Sequence, residues 1–85
     1  MAETVIYSTA YCPFCVRAKA LLDSKEIAYK EIRVDLQPQL RSEMLTRSGG
    51  SRTVPQIFIG DLHVGGCDEL TTLERQGRLD ALLNS

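Results

Sequence analysis

The sequence is poor in cysteine and has no long apolar run. Its 85 residues include three cysteines, one histidine and no tryptophan, and ten basic residues nearly balance eleven acidic ones. Three cysteines are too few to staple a secreted domain with disulfides. The small net charge of -1 disfavours nucleic acid or an anionic membrane as the partner, and no segment approaches the ~20 apolar residues that span a bilayer. We therefore expect a cytoplasmic protein with neither nucleic-acid nor membrane partners.

The chain also lacks the features that mark a secretory signal or a second domain. Residues 1–8 contain neither the basic region nor the long apolar stretch of a signal. There is no internal repeat, low-complexity tract or linker, and the length suits one domain. Hydrophobic residues make up 44% of the sequence and charged residues 25%, as in an ordinary globular protein. We predict a single domain over residues 1–85 that acts as a monomer.

Strand and helix patterns alternate through the first half of the chain. Residues 4–8 (TVIYS) and 28–35 (AYKEIRVD) predict strands, the first of them buried on both faces. Between them a helix is predicted to begin at Pro13, because a proline at the first helical position loses no hydrogen bond. A second helix opens at Pro38, and a strand–helix–strand unit of this length makes its two strands parallel. The side chains expected on the apolar face of the first helix are Val16, Ala20 and Leu21.

The second half predicts a hairpin followed by helix. In QIFIGDLHVGG, two short apolar strands flank Gly60 and Asp61, which is a two-residue hairpin signal. A third helix starts near Cys67 and is broken by Gly77, and RLDALLN allows a short fourth helix. We therefore predict an α/β fold with a four-stranded mixed sheet, built from a parallel βαβ unit and a C-terminal β-hairpin and flanked by three to four helices.

Cys12 and Cys15 are separated by two residues, at the point where the first predicted strand is followed by the first predicted helix. Residues three apart on a helix have Cβ atoms about 5–6 Å apart, and a disulfide needs Cα atoms about 4.4–6.8 Å apart. Cys12 is predicted at the N-cap, where unpaired N–H groups and the helix dipole favour a thiolate. Cys15, one turn further, is expected to be more buried and to keep its proton. Cys12 would thus attack and Cys15 resolve, and the pair indicates thiol–disulfide chemistry.

A structural zinc site is the alternative use of such a pair. Tetrahedral zinc needs four nitrogen or sulfur ligands, and only His63 and Cys67 remain to complete the set. Neither stands at a usual ligand spacing, since His63 lies in a predicted strand beside a double glycine. Cys67 taken alone is expected to be a small packing residue. We therefore predict no metal site.

Two further segments carry unusual backbone positions. Val54 precedes Pro55, which pushes Val54 toward an extended conformation and leaves its N–H and C=O available. The base rate for such a bond favours trans. After Gly65 and Gly66 the third helix begins with N–H groups suited to a carboxylate. Asp68 beside them either holds the ammonium of a ligand or complements the helix dipole, and the sequence leaves both interpretations open.

Taken together, CPFC, TVPQIFI and GGCDEL, in this order, resemble the glutaredoxins along essentially the whole chain. The resemblance is closest to the small bacterial dithiol members often numbered three. It implies a thioredoxin fold with a cis bond before Pro55. It also implies a glutathione-dependent oxidoreductase that reduces protein disulfides and glutathione mixed disulfides, with a redox disulfide between Cys12 and Cys15. Its co-substrate would be glutathione, with no metal, and its partners glutathionylated or disulfide-containing proteins.

The resemblance further implies which residues bind glutathione. Val54 would pair its backbone with the cysteinyl part, and Arg41 on the second helix would contact the glycine carboxylate. The γ-glutamyl end would be held by Thr53, Cys67 and Asp68. The full implied set is Phe14, Arg41, Thr53, Val54, Pro55, Cys67 and Asp68.

Two positions depart from the pattern of the family. Many relatives carry a lysine three residues before the first cysteine, where this chain has Thr9. Phe14 replaces the usual tyrosine, which removes a hydroxyl and keeps the ring that walls the site. Arg17 is expected to be a solvated helix residue rather than a replacement for the missing cation.

Two other functions compete with this interpretation. A redoxin reduced by thioredoxin reductase is disfavoured by the glutathione pocket that TVP and GGCDEL imply. An iron–sulfur carrier would hold its cluster on two Cys12 thiolates and two glutathiones of a dimer. In the family, that use goes mainly with glycine or serine after the first cysteine, so the rigid Pro13 disfavours it.

Overall fold

The computed structural model describes residues 2–84. The helices and strands follow the predicted order, with a short fourth helix at the end. In the described part of the chain no helix is both long and apolar enough to cross a membrane. The elements are β1 (Thr4–Ser8), α1 (Pro13–Ser24), β2 (Lys30–Arg33), α2 (Pro38–Arg47), β3 (Gln56–Ile59), β4 (Leu62–Gly65), α3 (Cys67–Arg75) and α4 (Leu79–Leu83).

The four strands form one mixed sheet in the order β2-β1-β3-β4. Strand β1 runs parallel to β2 and antiparallel to β3, and β3 pairs antiparallel with β4. The turn of this hairpin lies at Gly60 and Asp61. The predicted βαβ unit with a C-terminal hairpin is therefore confirmed.

Strand β2 is shorter than the strand predicted over residues 28–35. It is an edge strand with one neighbour, and its pairing with β1 runs only from Lys30 opposite Val5 to Arg33 opposite Ser8. Beyond that point the Val34 N–H still donates to the Ser8 carbonyl at 3.0 Å before the chain turns toward α2. The ladder therefore ends where its single partner, β1, ends.

The sheet separates two apolar clusters, because successive side chains of a strand point to opposite faces. On one face, Ile6 and Ile57 pack against helices α1, α3 and α4. On the other face, Tyr7 and Phe58 pack with Met44 of α2. Strand β1 is buried along its whole length, as predicted.

Helix α1 buries a different face from the predicted one. Val16 is 58% exposed and Ala20 is also exposed, while Leu21 is only partly buried. The apolar stripe starts instead from Cys15, which lies one turn inside the helix and points into the core. The buried residues of α1 are Cys15, Ala18 and Leu22.

Two buried hydroxyls of β1 differ in whether they have a hydrogen-bond partner. The Ser8 Oγ donates to Glu31 Oε2 at 2.6 Å, and the same carboxylate oxygen accepts from Lys19 Nζ at 2.9 Å. These contacts, with Ser8 the larger cause, lower the pKa of Glu31. By contrast, Thr4 is 2% exposed and its Oγ1 has no hydrogen-bond partner among the described residues. A buried polar atom without a partner costs about 1–3 kcal/mol.

Replacing Thr4 with valine should therefore stabilise the fold. The change removes the unpaired hydroxyl and keeps the β-branched shape, so we expect the free energy of unfolding to rise by about 1 kcal/mol. Urea denaturation measures it, with an unchanged slope showing that both end states are preserved. In the matched control, Ser8→Ala removes a hydroxyl that is paired and should lower the free energy of unfolding by about 1 kcal/mol. A Thr4→Val protein that unfolds at the same or lower urea concentration would contradict the assignment.

Candidate active site

Cys12 occupies the N-cap of α1, as predicted. Its backbone is extended, with φ −115° and ψ 106°, and its Sγ accepts a hydrogen bond from the Cys15 N–H at 3.2 Å. The N-cap position is normally held by a serine, threonine, aspartate or asparagine oxygen. Here a sulfur performs that task and accepts the Cys15 N–H. This environment favours negative charge on the sulfur.

Cys15 lies one turn inside the same helix in a very different environment. It is 1% exposed, and burial, followed by its hydrogen bond to Cys12, raises the pKa of its thiol to about 12. A hydrogen bond with the Thr9 backbone and the charge of Lys19 act in the opposite direction and lower the pKa. Cys15 is the more buried of the two thiols, as expected, and that it keeps its proton longer than Cys12 stays a prediction. Cys12, Cys15 and Cys67 are all free thiols in this structure.

The segment before β3 brings a backbone carbonyl to the first cysteine. The Val54–Pro55 bond is cis, so the trans bond expected from base rates is wrong and the cis bond implied by the resemblance is confirmed. The Cys12 thiol donates to the Val54 carbonyl oxygen across 3.7 Å. A thiolate has no proton to donate, so ionisation of Cys12 would leave this carbonyl available to another donor.

The start of α3 separates the roles of its two acidic residues. The Glu69 carboxylate accepts a hydrogen bond from the Gly66 N–H at 2.7 Å and so caps the helix. Gly65 has a φ of +111°, and a Cβ there would lie 2.7 Å from Glu69 Oε1, so only glycine fits beside this cap. Asp68 is not part of the cap, and it is exposed along the adjacent cleft. Glu69 is thus the acidic residue that accepts a hydrogen bond at the N-terminus of α3.

An open cleft of about 340 Å³ lies between the segment before β3 and the start of α3. Its walls come from the ring of Phe14, the cis-proline segment, the end of β4 and the first turn of α3. Val54 lines the cleft, and its carbonyl oxygen also contacts Cys12 Sγ, so Cys12 lies beside the cleft. The predicted residues that line the cleft are Phe14, Thr53, Val54, Pro55, Cys67 and Asp68.

Arg41 is the predicted residue that the structure does not bring to this cleft. It lines a separate depression beside Asp35 and Ser42, next to the start of α2. Helix α2 follows β2 and α3 follows β4, and these strands are opposite edges of the sheet. Three strand spacings, or about 14 Å, separate them.

Among the cleft residues that were not anticipated from the sequence are two polar side chains that contact each other. Gln56 is 4% exposed and His63 lies on β4, and both line the cleft. His63 Nε2 and Gln56 Oε1 are 2.6 Å apart, and the Gln56 amide nitrogen donates to the carbonyl and hydroxyl oxygens of Thr53 at 2.9 and 3.2 Å. The only sequence signal was a glutamine at the start of an otherwise apolar strand.

The cationic groups near the cysteines are placed differently from the lysine of many relatives. The Arg17 guanidinium lies 5.8 Å from the centre of the Phe14 ring, a cation–π distance, and Arg17 is exposed, as expected. Lys19 is held by Glu31 on the other side of the helix. Within residues 2–84 no group of three or more histidine, cysteine, aspartate or glutamate side chains could hold a metal ion.

Comparison with known proteins agrees with this geometry. A family model described as Glutaredoxin matches residues 4–64. A glutaredoxin of Pseudomonas aeruginosa is 58% identical over 85 residues, covering 100% of both chains, and glutaredoxin 3 of Escherichia coli is 51% identical over 83 residues, covering 98% of this chain and 99% of that one. The crystal structure of the buckwheat glutaredoxin–glutathione complex matches with a TM-score of 0.88 at 35% identity, covering 98% of this chain and 77% of that chain. The sheet described above is thus the thioredoxin fold of these relatives.

Burial and the contacts with Cys12 both raise the pKa of Cys15, and their contributions can be tested separately. In the unmodified protein the Cys15 thiolate should form only as the pH approaches about 12. A Cys12→Ala variant removes both the hydrogen bond and the charge of Cys12, so the pKa of Cys15 should fall while burial still holds it above its ordinary value. The carbon chemical shift of Cys15 Cβ, followed against pH by NMR, reports this titration. An unchanged titration in the variant would show that Cys12 contributes nothing.

Proposed function

The chain belongs to the glutaredoxin family, whose members are thiol–disulfide oxidoreductases, and we propose that this member uses glutathione as its reductant. Its proposed substrates are glutathione mixed disulfides and protein disulfides. Its partners would be glutathione and glutathionylated or disulfide-containing proteins. We place it in the cytoplasm, because three cysteines are too few for a disulfide-stapled secreted domain and suit a reducing compartment. We also propose that it acts as a monomer.

The position of Cys12 Sγ is the observation that supports this proposal. The sulfur lies at a helix N-terminus, accepts the Cys15 N–H, and is 3.7 Å from the carbonyl of Val54 on the wall of the cleft. A disulfide that enters the cleft would therefore meet a sulfur already placed for attack. The buckwheat relative was crystallised as a complex with glutathione, which is consistent with a tripeptide in this position.

The tripeptide would lie across the cleft with its cysteinyl part along Val54. Its γ-glutamyl carboxylate would face the first N–H groups of α3 beside Thr53, and its ammonium would face the Asp68 carboxylate. Cys67 and the Phe14 ring would supply apolar walls. An extended tripeptide spans roughly 10–11 Å, so its glycine carboxylate would point toward the β2 side of the sheet, where Arg41 lies.

The first step is attack by the Cys12 thiolate on the glutathione sulfur of a mixed disulfide. A bond forms between Cys12 Sγ and that sulfur, the original S–S bond breaks, and the substrate leaves as a thiolate that takes a proton from water. The Cys15 N–H stabilises the charge before attack, as a hydrogen bond to an ionised acceptor is stronger than one to a neutral acceptor. Because the thiolate no longer donates to Val54, that carbonyl can accept from the cysteinyl N–H of glutathione.

The second step regenerates the enzyme by one of two routes. For a glutathione mixed disulfide, a second glutathione thiolate attacks the sulfur bound to Cys12, which yields oxidised glutathione and the Cys12 thiolate. For a protein disulfide, the Cys12 thiolate first attacks one sulfur of that disulfide, which forms a Cys12–substrate mixed disulfide and releases the other substrate sulfur as a thiolate. Cys15 then loses its proton to water and attacks Cys12 Sγ, which expels the remaining substrate sulfur as a thiolate and closes the Cys12–Cys15 disulfide. Two glutathiones then reduce this disulfide and leave as oxidised glutathione.

The environment of Cys15 controls the route through the protein disulfide. Part of the rise in the pKa of Cys15 comes from the hydrogen bond and charge of Cys12. Once Cys12 is in a mixed disulfide it carries no charge, so those two causes disappear and only burial remains. Cys15 therefore becomes easier to ionise at the stage at which it must attack.

Single cysteine variants separate these routes. Cys15→Ser should retain reduction of a glutathionylated peptide and lose reduction of a peptide with an internal disulfide. Cys12→Ser should lose both reactions, because Cys12 is the thiol that caps α1 in the described structure. Turnover coupled to glutathione reductase measures the reactions, and mass spectrometry of Cys15→Ser after oxidised glutathione should find one glutathionyl group on Cys12.

The outcomes discriminate among the proposed functions. Turnover in Cys12→Ser would contradict the assignment of the nucleophile. Turnover with thioredoxin reductase but not with glutathione would favour a thioredoxin-like redoxin. A coloured, dimeric protein after anaerobic purification, with colour lost in Cys12→Ser, would favour an iron–sulfur carrier instead.

A further inference from the structure

We propose that His63 is a positioning residue for the glutathione cleft, acting through Gln56 on Thr53. The inference rests on the proposed function for its kinetic consequences, but the hydrogen-bond arrangement that it requires can be tested without glutathione. His63 would touch no reacting atom. It would hold in place the segment that presents the Val54 backbone to Cys12 and to the ligand.

The orientation of the Gln56 amide is determined by its partners. One end of the amide lies 2.9 Å from the Thr53 carbonyl oxygen, which can only accept, so that end must be the NH₂ group. The Thr53 hydroxyl oxygen lies 3.2 Å from the same nitrogen. The other end of the amide is therefore the oxygen, and it points at His63. The side chain is 4% exposed, so it has little water to replace a lost partner.

This orientation determines the proton position on His63. Gln56 Oε1 is an acceptor at 2.6 Å from His63 Nε2, so Nε2 must carry a hydrogen and donate it. The neutral ring is thus the Nε2–H tautomer, and its Nδ1 is left without a proton. If His63 were to carry its only proton on Nδ1, two acceptors would face each other at 2.6 Å, and the Gln56 amide would have to turn away from Thr53.

The imidazole is itself held by the sheet. His63 pairs with Phe58 across the β3–β4 ladder, and the two rings stack with centroids 4.7 Å apart and planes 21° apart. Phe58 also packs edge-on against Tyr7 at 5.7 Å and lies under the Arg47 guanidinium at 4.4 Å. The donor that reaches Gln56 is therefore anchored to the core on the α2 side of the sheet.

The segment that Gln56 would hold in place has no regular secondary structure. Residues 51–55 lie outside any helix or strand, so their position depends on side-chain hydrogen bonds more than on a backbone ladder. The two bonds from Gln56 join the start of β3 to Thr53, across Val54 and Pro55. Release of Gln56 would let Thr53 and Val54 move at the point where both line the cleft.

Two variants of His63 separate donation from packing. His63→Phe keeps a ring to stack on Phe58 and removes the donor, so the KM for a glutathionylated peptide should rise about three- to tenfold, the loss expected for one partly buried hydrogen bond. His63→Gln gives up the ring but places an NH₂ group at the position of Nε2, so KM should return most of the way to its original value. In both variants kcat should stay closer to that of the unmodified protein than KM does, because His63 touches no reacting atom.

A measurement on the unmodified protein tests the arrangement without substrate. Long-range proton–nitrogen NMR should show His63 as the Nε2–H tautomer, and the Gln56 side-chain amide protons should exchange slowly with water and faster in His63→Phe. An Nδ1–H tautomer would overturn the proposal, as would a KM that is unchanged in His63→Phe or not restored in His63→Gln. If the unmodified protein showed no glutathione turnover but had the expected tautomer and slow exchange, the proposed function would fail while the positioning arrangement stood.

Discussion

The hydrogen bond from the Cys15 N–H to Cys12 Sγ is the contact on which the candidate site depends. It makes a sulfur the cap of α1, so the sulfur receives both an N–H donor and the positive end of the helix dipole. The same turn of helix carries Cys15 away from solvent. One structural feature thus gives two chemically identical side chains different environments, one half-buried beside the Val54 carbonyl and the other buried with the pKa of its thiol raised to about 12. The proposed division between attacking and resolving thiol rests on this turn.

The topology of the sheet explains why distant segments meet at Cys12. Strand β4 is antiparallel to β3, which is antiparallel to β1. The carboxyl ends of β1 and β4 therefore lie at the same end of the sheet as the amino end of β3. The segment after β1 carries Cys12, the segment before β3 carries Val54, and the segment after β4 carries Asp68. The directions of the strands alone place all three segments at this end of the sheet. Arg41 also follows a strand that ends there, but β2 lies at the far side of the sheet from β4.

The parts of this structure that could be predicted from the sequence are those set by local rules. Proline at the first helical position and the spacing of two cysteines define the start of α1, and the hairpin turn and the order of elements define the sheet. The inward face of α1 was predicted wrongly, because its amphipathic pattern is weak and the burial of Cys15 sets the rotation of the helix. The ends of β2 were also wrong, because the length of an edge ladder depends on its partner strand.

The contact between His63 and Gln56 illustrates what local rules miss. Ile57 lies opposite Gly65, but Phe58 lies opposite His63, so the register shifts by one residue between neighbouring pairs of the same hairpin. The two-residue turn places Ile59 opposite Leu62 and Phe58 opposite His63, so without this bulge Ile57 would face Val64 instead of Gly65. Nothing in the letters QIFIGDLHVGG announces the extra residue, because the turn fixes only the pairs next to it. The turn directs the one histidine of the chain to the face that carries Phe58 and Gln56, but its contact with the Gln56 amide runs diagonally past the bulge, and no local rule of strand pairing predicts it.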